Sequence, residues 1–269
     1  MTREIGTPRA PHPAHTAQSP VTVIVNADDF GMNQSETQAT SEGMAAGHIN
    51  SATVMANGRA LQDAMRQIRV LSGVSFGVHL NLTQGAPISA GAGARLLVNQ
   101  EGRMTRPTFQ AFRPTPAILS AIYAEWCAQV ELLASRGIEI SHLDSHNHVH
   151  TVPFLFPVLK AVQKRFGIRK VRLSKNIYSA GEPCGPLLRM KKNGYNLALR
   201  SIYKTTTTGG FTDLITFCDV ASRRTLGYQS VEIMVHPGSK GSEAEDALLC
   251  SRWEETLRFP VVKIHYGQL

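Results

Sequence analysis

Apolar residues recur along this chain in short β-type runs, most followed by longer stretches of helical spacing. Residues 21–26, 51–55, 74–82, 138–144, 170–173, 231–236 and 261–266 read as strands. Residues 35–46, 60–71, 118–136, 153–166 and 243–257 read as helices, with Gly47 and Gly137 placed where glycine stops a helix. The stretch 83–116, rich in Gly, Pro, Ala and Ser, reads as a loop longer than ordinary connections, and such loops often carry function. The stretch 174–208 is less regular. Residues 189–204 have helical spacing that Gly194 weakens, and 205–208 followed by Gly209-Gly210 read as a loop or turn.

Repeated β-then-α units predict an α/β fold with a parallel sheet and outer helices. Strand number and length favour a single-domain (β/α) barrel over 21–269, TIM-like with room for irregularity. No internal repeat or interdomain linker interrupts it. Residues 1–20 carry four prolines and no apolar signal-peptide core, so they read as a disordered N-terminal leader. Chemistry in such barrels sits at the C-terminal ends of the strands.

Composition narrows the picture. The chain has 269 residues, 42% hydrophobic and 18% charged, enough for one large core. Cys127, Cys184, Cys218 and Cys250 are far apart and form no CxxC pair, which speaks against a cysteine zinc site and fits a reduced, cytoplasmic setting. No run approaches the ~20 apolar residues of a membrane span, so no transmembrane segment is expected. The net charge of +8 favours anionic neighbours, yet the basic residues are scattered and form no nucleic-acid module. No P-loop, no GxGxxG after a strand and no GxSxG elbow is present, so nucleotide-phosphate transfer and serine hydrolysis have no support.

The candidate chemistry falls at predicted strand ends. Asn26-Ala27-Asp28-Asp29-Phe30-Gly31 closes the first strand. Adjacent carboxylates repel, and burial raises the cost of charging both, so a metal ion is the simplest compensation. One Asp can bind the metal while the other accepts a proton from water; a helix cap beside a solvated neighbour is the plain alternative. His79 shares a strand face with Asn81. His142, Asp144, His146, His148 and His150 stand at every second position, and so many such groups are costly to bury without a metal, partners or water. Strict alternation ends near Asp144, and only a few of these histidines can reach one ion. His236 ends the strand 231–235; it can donate a proton to a departing amine or bond a neighbouring carboxylate. Trp126 and Trp253 read as core. Tyr178, Tyr195 and Tyr203 can line a groove; Arg172 and Lys175, near a strand end, can meet an anionic substrate, but a solvated basic edge is the preferred reading.

Val25-Asn26-Ala27-Asp28-Asp29-Phe30-Gly31, Gly77-Val78-His79-Leu80-Asn81-Leu82-Thr83, His142 through His150, and Glu232-Ile233-Met234-Val235-His236-Pro237-Gly238 together resemble the YdjC-like carbohydrate deacetylases, a group that includes chitooligosaccharide deacetylase and hopanoid-associated deacetylases. The resemblance implies a (β/α)-barrel-like fold and removal of acetyl groups from N-acetylated sugars with one divalent metal ion, zinc or magnesium. It implies Asp29, His79 and His146 as metal ligands, Asp28 as general base and His236 as the group assisting the leaving amine. Asn26, Asn81, Asp144 and His148 then fall in the surrounding shell or at the substrate. The segments 85–116 and 174–210 carry no transferable motif. The basic charge favours a glycan on an anionic or lipid-linked carrier, and a homo-oligomer stays open. Other readings are a metallo-phosphoesterase or other amidohydrolase on the same barrel, or a non-catalytic sugar-binding protein.

Overall fold

The computed structural model describes residues 19–269. All but the last two residues of the expected leader lie outside the described residues. The strands are β1 (Val21–Phe30), β2 (Ser51–Val54), β3 (Ser75–Leu80), β4 (Ile140–Ser145), β5 (Gly210–Asp213), β6 (Ser230–Val235) and β7 (Val261–Lys263). The helices are α1 (Gln34–Ala45), α2 (Leu61–Ile68), α3 (Ala92–Arg95), α4 (Arg106–Gln110), α5 (Pro116–Ser135), α6 (Phe156–Phe166), α7 (Pro186–Ser201), α8 (Leu214–Arg223) and α9 (Glu243–Leu249).

All the strand pairs are parallel, in the order β4-β3-β2-β1-β6-β5. β1 is central, and its Val23 and Val25 on one face and Ile24 on the other are all buried. β-Branched residues buried on both faces are what a parallel sheet covered by helices demands. One edge of β1 is shared: β7 pairs with Val21–Val23, while β2 pairs from Asn26 onward. The result is a single α/β domain with a curled parallel sheet, and every strand's C-terminal end faces the same way.

The regular ladder stops short of a full barrel. Between β4 and β5 the chain 170–173, expected to be a strand, makes only isolated bridges, Leu143 with Val171 and Lys170 with Thr206. Arg172 N–H donates to Leu143 O at 3.0 Å, and the chain then departs towards α7.

Other boundaries moved for identifiable reasons. The helix expected over 243–257 ends at Leu249, and a separate turn, Trp253–Thr256, buries Trp253. β7 ends at Lys263 because Tyr266 belongs to a turn whose ring stacks on His142, centroids 3.6 Å apart. The stretch 83–116 contains the short helices α3 and α4. β5 and α8 were not expected. β5 is four residues long and starts at a glycine, so it carries little pattern; Asp213 then caps α8 by accepting from Thr216 N–H at 2.8 Å. α7 runs through Gly194, with Pro186 in its first turn and Asn196 and Leu199 buried beneath it.

Contrary to the expectation of no transmembrane segment, α5 is by length and composition a helix able to cross a membrane. Here it packs on the sheet and buries Trp126, Val130 and Leu133. Its buried Glu125 and Gln129 also have structural work. Glu125 accepts from Ile88 and Ser89 N–H at 3.0 and 2.8 Å, and Gln129 bonds both the N–H and the C=O of Asn81. The long loop is thereby tied to the end of β3.

Candidate active site

Alternation along a strand would send the Asp28 and Asp29 carboxylates to opposite faces. The backbone prevents this. Asp29 is left-handed at φ +61°, Gly31 follows at +90°, and the register with β2 shifts between Ala27 and Phe30. A left-handed Asp costs about 1 kcal/mol, and such strain persists where surrounding contacts hold it. Both carboxylates end up buried at the same end of the sheet, 2% and 5% exposed.

Asp29 Oδ1 accepts from His146 Nδ1 at 2.7 Å and lies 3.1 Å from His79 Nε2. His79 is aimed by its other nitrogen: Nδ1 donates to Asp144 Oδ1 at 2.7 Å across the β3–β4 pairing, and Thr53 Oγ1 donates to Asp144 Oδ2 at 3.0 Å. Gly77 permits this pairing, because a Cβ there would lie 2.6 Å from the His142 ring. Burial opposes charge on His79, but Asp144 and Asp29 hold its pKa well above the usual value. Burial would raise Asp29, yet His79 and His146 hold it well below the ordinary carboxylate range.

Donor atoms of Asp29, His79 and His146 lie within 4.8 Å of one another. One carboxylate and two imidazoles, one of them oriented by an outer carboxylate, are a donor set that fits a divalent cation. Asp28, His79 and Asp144 form a second cluster of the same size, but Arg172 already occupies its carboxylate oxygens.

Arg172 corrects the sequence reading. It is fully buried, not a solvated edge. Nη1 and Nη2 donate to Asp28 Oδ2 and Oδ1, both at 2.6 Å; Nη1 also reaches Asp144 Oδ2 at 2.8 Å, and Nε donates to Glu232 Oε1 at 2.7 Å. Its guanidinium lies 4.8 Å from the Phe211 ring centroid. Burial alone would push Asp28 up, but Arg172 holds it far below the usual range. Burial pushes Glu232 up to about 7 despite Arg172 and the bond donated by Tyr266 Oη at 2.5 Å. The available signal was Arg172 and Glu232 standing alone between apolar neighbours at the ends of extended runs. Lys175 is half-buried and paired with Asp213 and Glu182, each at 2.8 Å.

His236 places Nε2 4.0 Å from Asp28 Oδ2 and is 35% exposed in its side chain. Its backbone N–H donates to Glu245 Oε1 at 2.6 Å. Asn26 Nδ2 donates to Asp28 Oδ1 at 3.0 Å. Asn81 stays outside the carboxylate–imidazole cluster; it shapes the turn carrying Gln84, whose Oε1 is 3.2 Å from His146 Nε2.

Only one histidine of the alternating run joins the cluster. β4 ends at Ser145, and Asn147 and His148 are left-handed at φ +53°, which disperses the later side chains. His142 is buried on Tyr266, and His150 is buried between Ser145 and the Arg172 carbonyl. His148 lies edge-on to Phe211, and burial and then Arg172 lower its pKa to about 4. Tyr195 Oη donates to His150 O at 2.5 Å, so it anchors α7.

Fold and site together define an α/β protein with a carboxylate–imidazole centre at the C-terminal ends of a parallel sheet. The chain belongs to the YdjC-like protein family, whose model matches residues 22–259. It is 37% identical over 148 residues to a carbohydrate deacetylase of Vibrio cholerae serotype O1, covering 54% of this chain and 56% of that protein. A carbohydrate deacetylase of Geobacillus stearothermophilus is 36% identical over 56% of this chain and 60% of its own. The chain thus spans little more than half the length of these relatives. A chitooligosaccharide deacetylase of Enterobacter sp. (strain 638) is 28% identical over 85% of this chain and 86% of its own. A solved structure from Enterococcus faecalis V583, provisionally named for cellobiose-phosphate cleavage, shares the fold: TM-score 0.74 over 93% of this chain and 99% of that one, at 21% identity.

Proposed function

We propose that this protein is a metal-dependent hydrolase that removes the acetyl group from an N-acetylated sugar. The observation that carries the reading is the placement of an Arg172-clamped Asp28 beside the Asp29–His79–His146 cluster, with His236 4.0 Å from Asp28. Asp29, His79 and His146 would hold one divalent cation, and two imidazole donors suit zinc better than magnesium. Such a cation supplies Lewis acidity to the acetyl carbonyl and to water.

The protein groups do the rest. Asp28 accepts a proton from the attacking water, and Arg172 keeps it ionised and aimed. The clamp makes Asp28 a weak base, which suffices for an acidified water. His236, half-exposed and fixed by Glu245 and Pro237, donates a proton to the departing sugar amine. A cleft of about 410 Å³ adjoins the cluster at Gln84, and Asn33, Asn57, Arg59 and Arg103 in its lining offer polar contacts to a saccharide. Arg59 and Arg103 suit an anionic substituent. A reducing, cytoplasmic setting belongs to the proposal, and Cys127, Cys184, Cys218 and Cys250 are all free thiols.

The test is acetate release from a panel of N-acetylated mono- and oligosaccharides, neutral and anionic, with added divalent metal or with chelator. Chelator-sensitive release is expected. A metal-loaded protein that releases acetate from no member would overturn the reading.

A further inference from the structure

Among the described residues, four of the nine large apolar side chains that stand exposed lie on α7, while Val70, Leu96, Ile215 and Val262 stand singly elsewhere. Leu187, Leu188, Met190 and Leu197 of α7 are 59%, 48%, 64% and 67% exposed, and Ile202 just beyond it is 49% exposed. Leu187, Met190 and Leu197 are spaced by three and seven residues, so they form one stripe. The opposite face is committed to the domain. Asn196 bonds both the N–H and the C=O of Ser174 at 2.9 and 3.0 Å, Tyr195 bonds the backbone of His150, and Leu199 is fully buried. Lys160 Nζ caps the last carbonyls of the helix, at Leu199 and Ile202. The helix therefore cannot roll its apolar stripe inward.

Charge says what covers the stripe. α7 carries Arg189, Lys191, Lys192 and Arg200 and no acidic residue. On a helical wheel, Arg189 falls on one side of the stripe and Lys191 on the other, both exposed. Arg200 is bonded to Thr207 and Thr208 and Lys192 to Tyr178, so they add positive field rather than free side chains. A second copy presenting the same face would set cations against cations. An anionic bilayer surface satisfies both features: acyl chains take the leucines and methionine, and headgroups take the flanking cations, whose long stems let the charge stay in water.

We propose that α7 is an interfacial helix that docks the folded protein on an anionic lipid surface. The stripe enters the boundary between headgroups and acyl chains, and the bonds to Ser174 and His150 fix the rest of the domain above it. This does not depend on which reaction the strand ends catalyse.

The test is co-sedimentation of the full chain with phosphatidylcholine vesicles and with vesicles containing phosphatidylglycerol. The expected result is binding to the anionic vesicles only, weakening as salt is raised. A double variant, Met190→Gln with Leu197→Gln, should bind at least about tenfold more weakly, because two exposed apolar side chains are lost. Its circular dichroism and melting temperature should match the parent. No binding by the parent to anionic vesicles, or equal binding by the double variant, overturns the proposal. So does a dimer in light scattering that the double variant dissociates without any vesicle binding, since the face would then be an interface between copies.

Discussion

Arg172 closes a two-pronged bond on Asp28, with the two terminal nitrogens each 2.6 Å from one of the two carboxylate oxygens and the guanidinium fully buried. The same guanidinium reaches Asp144, which aims His79, and Glu232 on the neighbouring strand. One cation thus sets the direction of the proposed base and of one proposed ligand together. Three buried acidic side chains meet it, Asp28, Asp144 and Glu232, and a fourth, Asp29, lies beside Asp28, so the pocket retains an attraction for further positive charge.

Arg172→Lys keeps a charge but loses the planar fork. Activity should fall on the order of 10²-fold through misaimed Asp28. Because Arg172 holds the Asp28 pKa down, the acidic limb of the pH–rate profile should move to higher pH. An unmoved limb with full activity would remove the clamp from the mechanism.

Asp28→Asn should lower kcat by about 10²–10⁴-fold while bound metal, measured by elemental analysis, stays near the parent level. Loss of metal in this variant would show that the roles of the two aspartates are exchanged.

Asp144→Asn should weaken metal affinity about 10- to 100-fold, because the His79 ring loses the carboxylate that orients it. Competition with a chromogenic chelator reads this directly. Unchanged affinity would mean His79 is held by Thr53 and packing alone.

Acid should destabilise the fold. Burial, with Arg172 next, holds His142 well below the usual imidazole range, and burial does the same to His150. Below about pH 6.5 the unfolded chain takes up protons that the folded chain refuses, so stability is full above that pH and is lost as pH falls. The melting temperature should decline from pH 7 to pH 5. His142→Phe keeps a ring on Tyr266 without a proton site and should flatten that decline. A variant tracking the parent throughout would exclude His142 as the source.

Along the chain, the residues themselves determined which side chains were available at strand ends, and the alternating apolar runs made β1, β3, β4, β6 and α5 legible. Val21–Val25 can bury both faces only in a covered parallel sheet, so the fold class followed from local pattern. Asp28-Asp29, His79, His146 and His236 could be singled out because charged and imidazole groups next to such runs are costly without partners.

The partners themselves were decided in three dimensions. Arg172 looked like a surface cation because its neighbours in sequence include Arg169 and Lys170, and only folding brings it to Asp28, 144 positions away. The left-handed turn at Asp29 broke the strand alternation that would have separated the two aspartates. The end of β4 at Ser145 selected His146 from a run of equivalent histidines and turned His150 into the core, while His142, within the strand, was buried by Tyr266. Periodicity reports which face a side chain occupies; which charge waits on that face depends on contacts between distant segments.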